Sequence, residues 1–300
     1  MSDTDGEIEA DDGPHREFVT VADGVVLNVL VGGNGPPLVL LHGFPESHIM
    51  WRHVAPELAE HFTVICPDLR GYGDSSKPPG GGDHATYSKR TMAADILALM
   101  DALGHDTFMV AGHDRGGRVS HRLALDAPDR LEKLAVLDIV PTATVFAETT
   151  AKLATAYYHW FFLIQPNGLP EKLIGADPGF YLRQKLGRWG SDPGTFPEEV
   201  MEEYIRCFSD PAAIHAMCED YRAAATIDLE HDRADADARI QCPLLVLWGK
   251  NGVVEANHDV LACWRAKAVD VRGFALDCGH FLPEEQPEAT SAALLDFFNS

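Results

Sequence analysis

An aspartate between two glycines is the first candidate for chemistry in this 300-residue chain. The pattern Gly-x-Asp-x-Gly occurs three times, at residues 112–116, 175–179 and 190–194. The first copy alone follows an apolar run typical of a β-strand, and its glycines permit a tight turn that lifts the middle side chain above a sheet edge. The other copies place proline after the aspartate, so neither offers a backbone N–H there to an oxyanion. The pattern predicts Asp114 as a nucleophile.

A carboxylate at such a turn does different chemistry from the more usual serine. It can displace a leaving group from an sp³ carbon and form an ester on its own side chain, which water then hydrolyses. The serine pattern Gly-x-Ser-x-Gly does not occur in the sequence, which argues against ordinary acyl transfer. The alternative interpretation is that Asp114 only caps the N-terminus of a helix.

A second segment, His42-Gly43-Phe44-Pro45, follows the predicted strand at 38–41. With the aspartate turn, and with the loop at 68–75 after the next strand, it resembles the α/β-hydrolase fold. The resemblance covers the chain from residue 18 to the C-terminus. It implies that the backbone N–H groups of Phe44 and Arg115 form an oxyanion hole.

A histidine near the C-terminus is placed to act as a general base. Gly279-His280-Phe281 lies between the last predicted strand and the final helix, so His280 is expected to deprotonate water. Many proteins of the fold carry the orienting acid three residues after a Trp-Gly pair, but here Gly252 occupies that position. Asp138, which ends a predicted strand, is the expected alternative, with Glu255 in reserve.

Two arginines follow the predicted nucleophile. Arg115 and Arg118 are three residues apart and so share one helix face. Cations at a helix N-terminus are unfavourable by about 0.3–1 kcal/mol each, which indicates function rather than stability. Both guanidinium groups could clamp a substrate carboxylate. The alternative is that they form salt bridges to acids of the core.

The segment 112–118, with His159-Trp160 and Gly279-His280-Phe281, resembles the fluoroacetate dehalogenases. The resemblance implies hydrolysis of short 2-haloacids, such as fluoroacetate to glycolate and fluoride, through an aspartyl ester with inversion. It also implies that His159, Trp160 and Tyr221 bind the leaving halide. An epoxide hydrolase is the first alternative, with cap tyrosines as proton donors (Tyr157, Tyr158, Tyr181, Tyr204 or Tyr221). A non-catalytic ligand-binding relative is the second.

The elements that must position these residues are short apolar runs alternating with helical patterns, typical of a mostly parallel sheet. Helices are predicted at 92–103 and 289–298. Residues 138–242 separate the sixth and seventh strands, too many for one crossover, and predict a helical cap at 144–226 on a core of 16–143 and 227–300. The prediction is an α/β-hydrolase fold, an eight-stranded sheet with a cap after strand 6. Strands are predicted at 17–21, 25–31, 38–41, 63–67, 107–111, 133–137, 243–248 and 268–272.

Composition limits the classes of partner. The net charge is −22, and removing the six acids of an expected disordered tail, residues 1–15, still leaves −16. Nucleic acid and anionic membranes are therefore poor partners, whereas a small anionic haloacid needs only a local cationic site. The six cysteines lack metal-ligand or disulfide spacing, so buried thiols in the cytoplasm are expected. No metal or organic cofactor is expected, and the resemblance implies a homodimer.

Overall fold

The computed structural model describes residues 13–187, 189 and 194–300. Its centre is one eight-stranded sheet in the order β1-β2-β4-β3-β5-β6-β7-β8. The first two strands join antiparallel, and all pairs from β3·β4 to β7·β8 are parallel. The predicted mostly parallel sheet is confirmed. The strands are β1 (His15–Ala22), β2 (Val25–Gly32), β3 (Pro37–Leu41), β4 (Thr63–Pro67), β5 (Phe108–His113), β6 (Leu131–Leu137), β7 (Leu244–Gly249) and β8 (Val271–Leu276).

Helices cover both the sheet and the region that follows β6. Every residue of β5 and β7 is buried, as expected of parallel strands that are covered on both faces. The α-helices are α1 (Ala55–Leu58), α2 (Lys89–Ala102), α3 (Asp114–Asp126), α4 (Thr142–Ala147), α5 (Ala151–Ala156), α6 (Tyr158–Phe162), α7 (Leu169–Ala176), α8 (Pro178–Leu186), α9 (Glu198–Phe208), α10 (Pro211–Ala225), α11 (Ile227–Ala234), α12 (Val260–Arg265), α13 (Leu282–Glu285) and α14 (Pro287–Asn299).

The eighth strand lies further along the chain than the predicted 268–272. Ala268 forms only an isolated bridge with Ile240, and continuous pairing with β7 starts at Val271. The sequence prediction ended this strand too early because Gly273 lies inside it, and a glycine weakens a strand pattern. Its place is explained by packing: a Cβ there would lie 2.1 Å from the Val246 carbonyl oxygen.

The segment between β6 and β7 is helical in the described residues, from α4 to α11. The insertion of helices after strand 6 agrees with the prediction. The helical segment begins at Thr142 and ends at Ala234, beyond both ends of the predicted cap at 144–226. The division into a core and a cap with those limits stays a prediction.

Two further findings concern the cysteines and the length of the helices. All six cysteines are free; four are buried, while Cys242 and Cys263 are partly exposed. None of the described helices combines the length and apolar character that crossing a bilayer requires. Residues 1–12 of the predicted acidic tail lie outside the described residues.

Candidate active site

The turn between β5 and α3 carries Asp114. Its φ is +45°, a left-handed conformation that is costly for a residue with a Cβ. The neighbouring glycines make the turn possible because other backbone lies against them. A Cβ on Gly116 would lie 2.5 Å from the carbonyl oxygen of His42, and one on Gly43 would lie 2.6 Å from the Asp114 Cβ. The turn is therefore packed directly against the loop after β3.

The other two copies of the motif differ in context. Asp177 caps α8 and accepts a hydrogen bond from the backbone N–H of Phe180 at 2.9 Å. Asp192 lies outside the described residues. The helix-capping interpretation therefore fits Asp177, whereas Asp114 lies at a strained strand-to-helix turn.

Substituting Gly116 by alanine is expected to lower the free energy of unfolding by about 3 kcal/mol, because rigid backbone surrounds the added methyl group. Gly175 on α7 is the matched control. Beyond its own helix, no atom of the described residues lies within 4 Å of the position that a Cβ would take there, so Gly175→Ala should raise stability by about 0.4–1 kcal/mol. Urea unfolding measures both changes. Equal midpoints for the wild-type protein and Gly116→Ala would contradict the tight turn.

Asp114 is held at one oxygen and surrounded by positive charge. Its Oδ1 accepts the backbone N–H of Phe44 at 3.0 Å. Burial acts to raise the pKa of the carboxyl, but His280, Arg115 and Arg118 outweigh burial and bring the pKa below its ordinary value. The carboxylate is therefore ionised at neutral pH, with Oδ2 as the oxygen that can attack.

His280 and Asp138 form a buried pair beside this carboxylate. The Nδ1 of His280 lies 2.5 Å from Oδ2 of Asp138, so the other ring nitrogen, Nε2, is the one that can accept a proton. The backbone N–H of Gly249 donates to Oδ1 of Asp138 at 2.9 Å. The reserve candidate, Glu255, is exposed and instead accepts the indole N–H of Trp248.

The two arginines are buried but differ in their partners. Arg115 donates from Nε and Nη2 to the carboxylate of Asp220 at 3.0 and 2.5 Å. Arg118 donates from Nη1 to the carbonyl of Val140 and to the hydroxyl of Thr142. The salt-bridge alternative therefore applies to Arg115. However, the Nη1 of Arg115 and the Nε of Arg118 are buried and have no hydrogen-bond partner among the described residues.

His159, Trp160 and Tyr221 meet in one aromatic group above Asp114. His159 stacks on Phe44 at 5.9 Å between centroids, and Tyr221 lies edge-on to both rings and to Trp160. The guanidinium of Arg118 faces Trp160 at 4.6 Å, and that of Arg115 faces Tyr221 at 4.3 Å. The structure thus brings the three predicted halide-binding residues into one group, in which Trp160 faces both arginines and Tyr221 faces Arg115.

Burial sets the protonation of two members of this group. Burial lowers the pKa of His159 far below its ordinary value, so the imidazole is neutral at pH 7. Burial, with the negative charge of Asp114, raises the pKa of Tyr221 well above 10. The Tyr221 hydroxyl is therefore a permanent donor, and it has no partner in the described part of the chain.

Three residues at this site were not predicted from the sequence: Glu46, His113 and Trp189. The Nε2 of His113 donates to the backbone carbonyl of His280 at 2.8 Å, and its Nδ1 lies 3.4 Å from Oε2 of Glu46. Burial opposes its charge, but Glu46 outweighs burial and raises the pKa of His113 to about 9. Trp189 packs on the His280 ring at 5.2 Å between centroids, with a φ of +64°. The position of His113 directly before Asp114 in the sequence could have indicated that it belongs to the site.

The comparisons with known proteins agree with this architecture. The family described as the alpha/beta hydrolase fold matches residues 36–287. The chain belongs to this family. In this α/β hydrolase, 55% of residues are identical to those of a solved structure from Nostoc sp PCC 7120, itself assigned to the alpha/beta hydrolases. The TM-score is 0.94, and the match covers 95% of this chain and 98% of the other.

Two curated relatives carry activities in their names. This α/β hydrolase is 47% identical over 289 residues to the fluoroacetate dehalogenase of Burkholderia sp, in a match that covers 96% of this chain and 95% of that protein. It is 38% identical over 283 residues to the soluble epoxide hydrolase of Corynebacterium sp. (strain C12), covering 92% and 94% respectively. The resemblance to dehalogenases is confirmed, and both kinds of hydrolase are full-length relatives.

Proposed function

We propose that this α/β hydrolase is a hydrolytic dehalogenase of short 2-haloacids, converting fluoroacetate to glycolate and fluoride. One observation carries the proposal: buried polar atoms around Asp114 have no hydrogen-bond partner in the described ranges. They are Nη1 of Arg115, Nε of Arg118, Nδ1 of His159 and the Tyr221 hydroxyl. Each unpaired buried group costs about 1–3 kcal/mol, so the set indicates an anionic ligand that pairs with them.

The two arginines supply the carboxylate clamp. Arg115 offers Nη1 and Arg118 offers Nε to opposite oxygens of the substrate carboxylate, in a pocket where charge-assisted hydrogen bonds are strong. This holds the α-carbon in line between Asp114 and the aromatic group, which converts a bimolecular displacement into an effectively unimolecular one.

In the first step, Oδ2 of Asp114 attacks the α-carbon of the haloacid. The new C–O bond forms as the C–F bond breaks, and fluoride leaves with the bonding electron pair. Attack from the face opposite the halide inverts a chiral carbon, so a chiral 2-haloacid gives the inverted 2-hydroxyacid. In this proposal the neutral His159, Trp160 and Tyr221 donate to fluoride as its charge develops.

In the second step, water hydrolyses the aspartyl ester. His280 takes a proton from water through Nε2, and the hydroxide adds to the Asp114 carboxyl carbon. The resulting oxyanion is bound by the N–H of Phe44, which already donates to Oδ1 at 3.0 Å, together with that of Arg115. Collapse breaks the ester C–O bond, and the departing alkoxide takes the proton held by His280 to give glycolate. The Asp114 carboxyl, which now holds one water oxygen, loses its own proton to solvent.

Trp160→Phe should reduce defluorination more than dechlorination. The phenyl ring keeps a surface for Tyr157, on which Trp160 stacks, but it lacks the indole N–H. Losing one donor to a developing anion costs about 10²–10³-fold in kcat, which we expect for fluoroacetate. We expect less than about tenfold for chloroacetate, since chloride leaves more easily. Steady-state halide assays measure both, and equal losses would remove Trp160 from the halide site.

The hydroxyls of Tyr181 and Tyr221, which have no hydrogen-bond partner within the described residues, favour one second candidate, an epoxide hydrolase. Two tyrosines could protonate an epoxide oxygen while Asp114 opens the ring. A neutral epoxide brings no carboxylate to accept from Nη1 of Arg115 and Nε of Arg118, the two nitrogens without a partner among the described residues, which favours the haloacid. Fluoride release from fluoroacetate, measured beside diol formation from styrene oxide, tests the choice. Diol formation without fluoride release would replace the first proposal.

Assembly and location are also proposals. We propose a homodimer, as the resemblance implies, and a cytoplasmic location. Large apolar side chains on α7 and α8 are exposed, with Leu173 at 57% and Phe180 at 64%, and a contact between protomers could cover them. Light scattering of the purified chain gives the oligomeric state, and a monomer would overturn the first of these proposals.

A further inference from the structure

The side chain of Asp220, on α10, accepts hydrogen bonds from three separate elements outside the inserted helices. Its carboxylate is fully buried. It accepts the Tyr72 hydroxyl at 2.6 Å, Nζ of Lys89 from the first turn of α2, and Nε and Nη2 of Arg115 from α3. Tyr72 lies in the loop after β4. One side chain of the inserted helices therefore joins three elements of the core.

The buried charges at this junction are balanced. Lys89 and Arg115 carry two positive charges, and Asp220 is ion-paired with both. A second acid, Asp228, lies 3.5 Å from Nζ of Lys89 and accepts the backbone N–H of the same lysine. Removing one partner from such a group leaves a buried charge unpaired, which is strongly unfavourable.

Asp220 also determines which atom of Arg115 is available to a ligand. The Arg115 Nε donates to Oδ2, and Nη2 donates to both Oδ1 and the backbone carbonyl of Asp220. These contacts use one whole edge of the planar guanidinium. The remaining nitrogen, Nη1, is buried without a partner in the described part of the protein. The side chain cannot present its Nε–Nη2 edge to substrate while Asp220 holds it.

The next residue of the same helix belongs to the halide side of the site. Tyr221 lies under the Arg115 guanidinium at 4.3 Å and has a hydroxyl without a partner among the described residues. Because Asp220 and Tyr221 are consecutive, one turn of α10 fixes both the arginine that meets the substrate carboxylate and a donor to the halide. One segment of backbone therefore positions the groups that bind the two ends of a short substrate.

We propose that Asp220 is a positioning residue that turns Nη1 of Arg115 toward the substrate carboxylate and keeps it in register with the Tyr221 hydroxyl. The inference rests on the proposed function, since it takes a short carboxylate as the ligand. It departs from a simple two-arginine fork, because Arg115 contributes through one nitrogen that a residue of the inserted helices selects.

The test is the affinity for glycolate, the expected product, measured by calorimetry on the full chain. Asp220→Asn replaces an acceptor oxygen by an amide that faces the donors of Lys89 and Arg115. We expect glycolate to bind at least about 30-fold more weakly, the lower end of losses for a broken buried charge pair. Glycolamide, which is neutral, should bind Asp220→Asn and the wild-type protein equally. A general loss of structure would weaken both ligands alike.

Glu219→Gln is the matched control. Glu219 adjoins Asp220 on α10 and also ties the helix to the core, through His84 at 2.8 Å, but it does not contact Arg115. We expect its glycolate affinity to stay within about twofold of the wild-type value, since its charge pairs are on another helix face. An equal loss of glycolate affinity in Glu219→Gln would mean that Asp220 only attaches α10 to the rest of the protein, which would overturn the proposal.

A second variant covers the case in which Asp220→Asn does not fold. Tyr72→Phe removes one donor from Asp220 but leaves every charge, and we expect a loss of about threefold for glycolate, as for one hydrogen bond. Unchanged or tighter glycolate binding in either variant that folds would overturn the inference, and tighter binding would mean that Asp220 only neutralises charge. Fluoride release by the wild-type protein tests the proposed function separately.

Discussion

Asp114→Asn should lower kcat for fluoroacetate by at least about 10⁴-fold, since loss of the nucleophile in a covalent triad costs on the order of 10⁶-fold. The amide keeps the size of the side chain and an oxygen that can accept the Phe44 N–H. It lacks the negative charge that attacks carbon. Because the pKa of Asp114 lies below its ordinary value, the wild-type carboxylate is fully ionised at pH 7 and the whole difference is chemical.

The control for this substitution comes from the same motif. Asp177→Asn changes the second Gly-x-Asp-x-Gly aspartate, which caps α8, and asparagine caps helices about as well as aspartate. Its turnover should equal the wild-type value. Single-turnover hydrolysis in ¹⁸O water should label the wild-type Asp114 peptide. Unlabelled peptide, or more than about 1% of turnover left in Asp114→Asn, would exclude the ester mechanism.

The parts of the site that sequence could predict are those fixed by local backbone. Asp114, Asp138 and the Phe44 loop each follow a parallel strand, and the carboxyl ends of such strands meet at one edge of a sheet. His280 follows the last strand for the same reason. Strand-to-loop order therefore brings these residues together without any knowledge of side-chain packing.

The other parts depend on contacts between distant segments. Nothing near Arg115 indicates that its partner is 105 residues further along the chain, since any of many acids could have paired with it. Trp189 reaches the His280 ring from the helical segment through a left-handed backbone conformation. Propensity disfavours such a conformation for tryptophan. The position of β8 was mispredicted for a similar reason, because Gly273 is explained only by its packing against Val246 on the neighbouring strand.

His280→Asn should stop the enzyme after one turnover. Asparagine fills the space beside Asp138 but cannot take a proton from water, so the first step proceeds and the second does not. General-base loss costs about 10²–10⁴-fold, and we expect steady-state fluoride release to fall at the upper end of that range. A burst of one fluoride per active site should remain, and intact mass should show Asp114 carrying a carboxymethyl group.

The pH dependence of the first fluoride release by the wild-type protein, measured before the steady state, isolates the nucleophile. Asp114 attacks only when ionised, and its lowered pKa keeps it ionised as the pH falls from 8 to 5. The rate of this first release should therefore stay constant in the wild-type protein over this range, whereas a carboxyl with a raised pKa would lose rate toward pH 5. His61→Asn, an exposed histidine, should keep wild-type turnover. Unmodified Asp114 after exposure of His280→Asn to fluoroacetate would mean that His280 is needed before the ester forms. That result would contradict its assignment as the general base of the second step.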